Sequence, residues 1–154
     1  MVKLCSDNWI LDKIDTVLFD KDGTFLNSDI YWGKLVELRT FALIKEFDLN
    51  PHLFFELCYQ MGYDIKTKKL TPNGPVGVLS REGVINSTIE SLKKMSVNTD
   101  FGTIDRIFVK VHDNFLDNLK NFVEIIEGAK DCFDKLKNKN VKLAVVTSDT
   151  HKNT

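Results

Sequence analysis

Two carboxylates at the end of an apolar run are the residues of this chain best suited to chemistry. Val17-Leu18-Phe19 breaks into Asp20 and Asp22, with Lys21 between them and Gly23-Thr24 behind. An apolar run bounded by a turn signal predicts a short buried strand. The carboxyl ends of buried parallel strands face the crevice in which ligands bind. Strand alternation would put Asp20 and Asp22 on one side and Lys21 on the other. Two carboxylates held close oppose each other's ionisation, so the pair calls for a cation, a proton or both. Other readings fit parts of the string. Asp and Gly suit solvated turns. A calcium loop of the EF-hand type fails in register. With Gly23 at its sixth position, Leu18 and Asp29 stand where a carboxylate and a glutamate are required. A phospho-accepting receiver domain also carries acids at a strand end, but does not continue into Gly-Thr and a long helical segment.

Phe19-Asp20-Lys21-Asp22-Gly23-Thr24 resembles motif I of the haloacid dehalogenase superfamily, in which hydrophobic residues precede D-x-D-G-T. The resemblance implies that Asp20 is a nucleophile forming an aspartyl-phosphate and that Asp22 is the general acid and base. The dehalogenases of the superfamily lack the second Asp, so Asp22 points to phosphoryl transfer; P-type ATPases carry D-K-T-G-T, and Asp22 argues against them too. A second β-type run, Val141 to Val146, ends in Thr147-Ser148-Asp149 and is similar to motif II. That similarity implies a phosphate oxygen bound by the Thr147 hydroxyl, with the backbone N–H of Ser148 beside it. Gly128, a short helix and the turn Asn138-Lys139-Asn140 resemble the family's approach to this strand, without its common proline. The family further implies magnesium, held by Asp20 and by the backbone carbonyl of Asp22, and a small phosphorylated metabolite as substrate. Magnesium suits such a place, being hard, octahedral and held by oxygen ligands, waters and substrate phosphate. The acid–base role requires Asp22 to hold a proton, which a neighbouring carboxylate favours.

Helical patterns fill the space between the two motifs. Apolar residues recur at three- and four-residue steps from Tyr31 to Phe47, His52 to Met61, Val84 to Lys94 and Thr103 to Phe122. Pro51 suits the first turn of the second helix and Gly62 its end. Four such helices in antiparallel contact would bury their stripes together. Residues 62–83 are rich in Gly and Pro, but Val76, Val78 and Leu79 would be wasted in a free linker, which predicts an ordered loop. Together with these patterns, the resemblance implies an α/β fold: an incomplete Rossmann-like core of parallel strands, with an inserted α-helical bundle. Its divisions are residues 1–26 with motif I, 27–124 as a helical cap of the C1 type, and 125–154 with motif II. Within the superfamily the chain resembles phosphoglycolate phosphatase-like members of subfamily I. In such caps a loop selects substrate; the resemblance makes Thr71 to Gly83 the candidate for that loop here, with Arg81 as a candidate anion-binding side chain.

Composition narrows the partners. The chain of 154 residues is 43% hydrophobic and 28% charged, with net charge -1, an ordinary globular balance with no field for nucleic acid or an anionic membrane. Lys66, Lys68 and Lys69 read as a solvated turn. Cys5, Cys58 and Cys132 are scattered and odd in number, which suggests reduced thiols in a cytoplasmic protein. His52, His112 and His151 are unclustered. Asp7 and Asp12 interrupt the N-terminus, so it is no signal peptide, and no run approaches the roughly 20 apolar residues of a membrane span. The family's motif III lysine and motif IV acids have no counterpart before Thr154. Because two strands do not make an independent core sheet, the chain reads as the N-terminal part of a longer phosphatase. Otherwise it is a truncated form, or another copy supplies the missing strands through the open sheet. As it stands it would bind magnesium poorly and turn over slowly. A sugar phosphomutase with the same motif I, and a non-catalytic helical interaction module, are the alternatives.

Overall fold

A computed structural model describes residues 2–147; Ser148, Asp149 and His151 lie outside the described residues. The chain forms two compact units, one made by residues 1–27 with 124–154, the other by Ser28–Val123.

The first unit is α/β. Its β1 (Val2–Ser6) and β2 (Trp9–Ile14) form an antiparallel hairpin in which Ser6 pairs with Trp9 and Cys5 with Ile10. Next comes β3 (Thr16–Asp20), which pairs in parallel with β6 (Lys142–Val146), Thr16 opposite Lys142 and Asp20 opposite Val146. Helix α5 (Ala129–Asn138) leads into β6. It stops because Asn140 takes φ +57°, while Asn140 N–H donates to Lys137 O and Val141 N–H to Leu136 O. These bonds satisfy carbonyls that a helix end leaves over, and asparagine tolerates the left-handed conformation. Lys142 N–H then donates to Asp15 O, which opens the ladder with β3.

The predicted strand Thr16–Asp20 forms, but it is not buried on both faces. Val17 and Phe19 are half-buried, whereas Leu18 is 63% exposed and, in the same ladder, Val146 is 55% exposed. Parallel strands are buried when elements cover both faces. Here α5 covers one.

The second unit is helical. It contains α1 (Ser28–Glu46), α2 (Phe54–Gln60), α3 (Arg81–Lys94) and α4 (Phe101–Asp117). A single 3-10 turn, Pro51–Leu53, precedes α2, and another, Leu119–Asn121, follows α4, so two predicted helices are shorter than their apolar periodicity suggested. Val36, Leu43, Leu57, Ile85, Leu92, Ile104 and Phe108 are fully buried and form one core. Tyr31, Leu35 and Phe115 form a second, extended by Phe122 stacked on Phe115 at 5.2 Å. Gly33 sits inside α1 for a packing reason: a Cβ there would collide with the Tyr63 ring.

The glycine-rich segment is ordered. Two short strands, β4 (Tyr63–Asp64) and β5 (Lys69–Leu70), pair antiparallel. Behind them the backbones of Gly62 and Gly74 touch; a Cβ on Gly62 would stand 2.9 Å from Gly74 Cα. Val76 N–H donates to Met61 O, and its side chain is in the core. Val78 and Leu79, also expected to be ordered by burial, remain 62% and 49% exposed, because the chain turns outward at Gly77 with φ +89°.

Two interior polar groups stand out. The Cys58 thiol donates to Thr40 Oγ1 at 3.3 Å, and burial pushes its pKa up to about 11. Arg39 is 6% exposed, with its guanidinium 4.4 Å over the Phe108 ring. Its buried Nε has no hydrogen-bond partner among the described residues. Burial, then the positive charge of Arg81, lowers its pKa to about 10. All three cysteines are free, and no helix among the described residues is long and apolar enough to cross a membrane.

Replacing Gly74 with Ala places a methyl group against Gly62 Cα and Thr71 Oγ1. Backbone cannot yield as a side-chain end can, so urea denaturation should show a loss of about 2–3 kcal/mol. Acid offers a second measurement. Asp100 caps α4 through Oδ1, which accepts from Thr103 N–H at 2.9 Å, and Oδ2, which accepts from the Thr103 hydroxyl at 2.9 Å. The Thr103 N–H first and its hydroxyl second hold the Asp100 pKa below the ordinary value; the Lys66 N–H does the same for Asp64. A folded pKa below the unfolded one contributes stability above the unfolded value and loses it as pH falls through the folded one. Thermal melts should therefore drop in temperature below about pH 4. Asp100→Asn, which caps without titrating, should flatten that drop.

Candidate active site

The candidate site belongs to the first unit and starts at the carboxyl end of β3. Asp20 is its last residue and is exposed. Gly23 has φ +77°, a conformation open to glycine, and its N–H donates to Leu26 O at 3.0 Å. Leu26 N–H donates back to Lys21 O at 3.2 Å, which closes Lys21–Leu26 into a tight turn. The turn explains where alternation fails. Strand geometry ends at Asp20, so Lys21 does not point away from the second carboxylate. Its ammonium lies 3.6 Å from Asp22 Oδ2, with the Lys21 side chain 7% exposed. Sequence reasoning asked for a cation beside the carboxylate pair and passed over the lysine between them.

Thr147 directly follows β6, whose last residue, Val146, is level with Asp20. Parallel register therefore brings the ends carrying Asp20 and Thr147 side by side, although most of the chain lies between them. Ser148 lies outside the described residues. Arg81 opens α3 in the helical unit, where its Nε and Nη2 both donate to Asp105 Oδ1, at 3.1 and 2.8 Å.

An aromatic clamp steadies the site from behind. Phe133 of α5 meets Phe19 edge-on at 4.9 Å and Phe25 at 5.6 Å. Phe19 precedes Asp20 and Phe25 follows Thr24, so one ring braces both sides of the carboxylate turn. A 320 Å³ cavity beside the clamp is lined by Phe19, Phe25, Phe133, Leu143 and Val145. Just beyond, Asn27 N–H donates to Glu124 O at 2.8 Å and Ile126 N–H to Phe25 O at 2.9 Å. These bonds tie the departing chain to the returning one.

The donor chemistry suits a hard cation in part. Asp20 and Asp22 offer oxygen donors, but no group of three or more His, Cys, Asp or Glu among the described residues could hold a metal. One or two carboxylates with waters and substrate phosphate are the usual setting for magnesium.

The sequence profile of haloacid dehalogenase-like hydrolases matches residues 43–154. The chain belongs to this family. The matched stretch begins after Asp20–Thr24, so the carboxylate motif stands as an observation separate from the family match. No protein of curated function matches the chain. Among solved structures, a predicted phosphoglycolate phosphatase from Haemophilus somnus 129pt is similar, with 19% identity and a TM-score of 0.58. The likeness covers 91% of this chain and 54% of that one, so the chain spans about half the length of the structure it matches. At that identity the likeness establishes the fold: a partial Rossmann-like α/β core with helices, as the motif resemblance implied.

Phe133→Ala removes both edge-on contacts. Each such pair contributes about 0.5–1.5 kcal/mol beyond buried area. Thermal unfolding of the variant, followed by near-ultraviolet dichroism, should show a loss of about 1–3 kcal/mol.

Proposed function

We propose that the protein is a magnesium-dependent phosphomonoester hydrolase acting on a small phosphorylated metabolite through an aspartyl-phosphate on Asp20. The observation that carries this reading is the parallel register that puts the ends of β3 and β6 level, with Asp20 on one and Thr147 next on the other. In this reading one Asp20 oxygen attacks phosphorus as the ester P–O bond breaks. Asp22 gives its proton to the departing alkoxide. Water then attacks the acyl-phosphate, Asp22 takes the water's proton, and phosphate leaves with the Asp20 carboxylate restored. Thr147, with the Ser148 N–H, would hold the phosphoryl oxygens. Magnesium bound by Asp20 and Asp22 would supply positive charge between two groups that otherwise repel. The segment 27–124 would play the part of the C1-type cap, and Thr71 to Gly83 that of its selecting loop.

Trapping the intermediate tests the proposal without depending on fast turnover. The protein is mixed with p-nitrophenyl phosphate and magnesium, quenched in acid and weighed by mass spectrometry. Its leaving group departs without protonation, so Asp22→Asn should accumulate one phosphoryl group, labile to hydroxylamine. The unaltered protein should show it only transiently and Asp20→Asn never. An adduct on Asp20→Asn, or none on any form, would sink the assignment.

A further inference from the structure

The helical unit holds a cation that phosphoryl transfer at Asp20 does not use. Arg39, in the middle of α1, is buried over Phe108 with its Nε donating to no described residue. It forms no ion pair among the described residues. Arg81 stands close by: it holds Asp105, which lies three residues before Phe108 and so one turn away on α4. After burial, its charge is the second cause lowering the Arg39 pKa, which Tyr31 acts to raise. Asp105 lies in the same neighbourhood of charge, but both Arg81 hydrogen bonds converge on its Oδ1. A guanidinium keeps its proton at neutral pH, so the charge cannot be shed. A ring face attracts a cation but accepts none of the in-plane N–H bonds that the guanidinium fork presents. Two coplanar oxygens, as in a carboxylate or a phosphate, match that fork.

We propose that Arg39, with Arg81 as a second cation, forms a binding site in the helical unit for a small oxyanion, the carboxylate or phosphate group of a metabolite. The site takes up the buried Nε donor with an acceptor from outside the chain.

The chain contains three arginines, Arg39, Arg81 and Arg106, so a ¹H–¹⁵N spectrum of arginine Nε–H groups holds three signals to assign. The unaltered protein is titrated with malonate and, separately, with inorganic phosphate at constant ionic strength. The Arg39 signal should move saturably, Arg81 should follow, and Arg106 should stay. Saturation by malonate alone identifies a carboxylate site, by phosphate alone a phosphate site. Arg39→Gln should weaken the binding seen at Arg81 about tenfold or more, and Arg39→Lys should recover part of it. An Arg39 signal that stays fixed in both titrations, or moves only in step with Arg106, overturns the proposal. So does an Arg39→Met variant that keeps the full anion response at Arg81. These signals report Arg39 itself, so the reading of Asp20 as nucleophile can fail while this one stands.

Discussion

The parallel ladder between β3 and β6 is the constraint on which the rest depends. Its two strands are separated in sequence by the whole of Ser28–Val123, and the register must still hold from Thr16–Lys142 through Asp20–Val146. Closing so long a connection costs conformational entropy, although that cost rises only logarithmically with length. The helical unit reduces it further by folding on its own core, so the closure links two compact ends. Asn27 to Glu124 and Ile126 to Phe25 then fasten the ends by backbone hydrogen bonds, where any side chain is tolerated. Were the ladder to slip by one residue, every side chain of β6 would change face and Val146 would no longer stand level with Asp20.

Charge in partly dry places is the second constraint, and the two units meet it differently. In the first, buried Lys21 stands beside Asp22, so a cation and an anion share the cost of leaving water. In the second, Arg39 has a ring in place of a carboxylate. A cation–π contact contributes about 0.5–2 kcal/mol. The effective penalty for burying an ion is several kcal/mol. The helical core therefore carries a deficit at Arg39, whereas the carboxylate turn has its own partial balance.

Much of this was legible in the residues. The strand Thr16–Asp20 extends the apolar run Val17–Phe19 by one residue at each end and stops at Asp20, before the turn at Gly23. The helices were legible from periodicity, but their ends were not: Pro51–Leu53 and Leu119–Asn121 tighten into 3-10 turns that keep the apolar spacing. The hairpin of β1 and β2 was missed, although Asp7-Asn8 between two apolar runs is a turn signal. Those runs were weighed only against a signal peptide. Arg39 lies within the apolar stripe from Tyr31 to Phe47; a long cation on such a stripe is itself a signal, since arginine is almost never buried alone. The position of Lys21 was not legible, because it depends on where strand geometry stops.

Burial is distributed unequally, and this bears on how the site behaves. Among the described residues the first unit contributes only Leu136 and Val141 to the buried apolar set, while the helical unit contributes all the others. Trp9, Ile10 and Leu11 of the hairpin and Leu18 and Val146 of the ladder are half or more exposed. Elements with few buried apolar contacts open at lower free energy than a packed core. The carboxylate turn is thus built on the softer unit, where one ring, Phe133, and a few backbone bonds fix its geometry. An element covering the Leu18–Val146 face would bury apolar surface and stiffen the ladder, and with it the spacing of Asp20 and Thr147. On this physical ground, the precision of the site is tied to what packs on that face more than to the residues of the site itself.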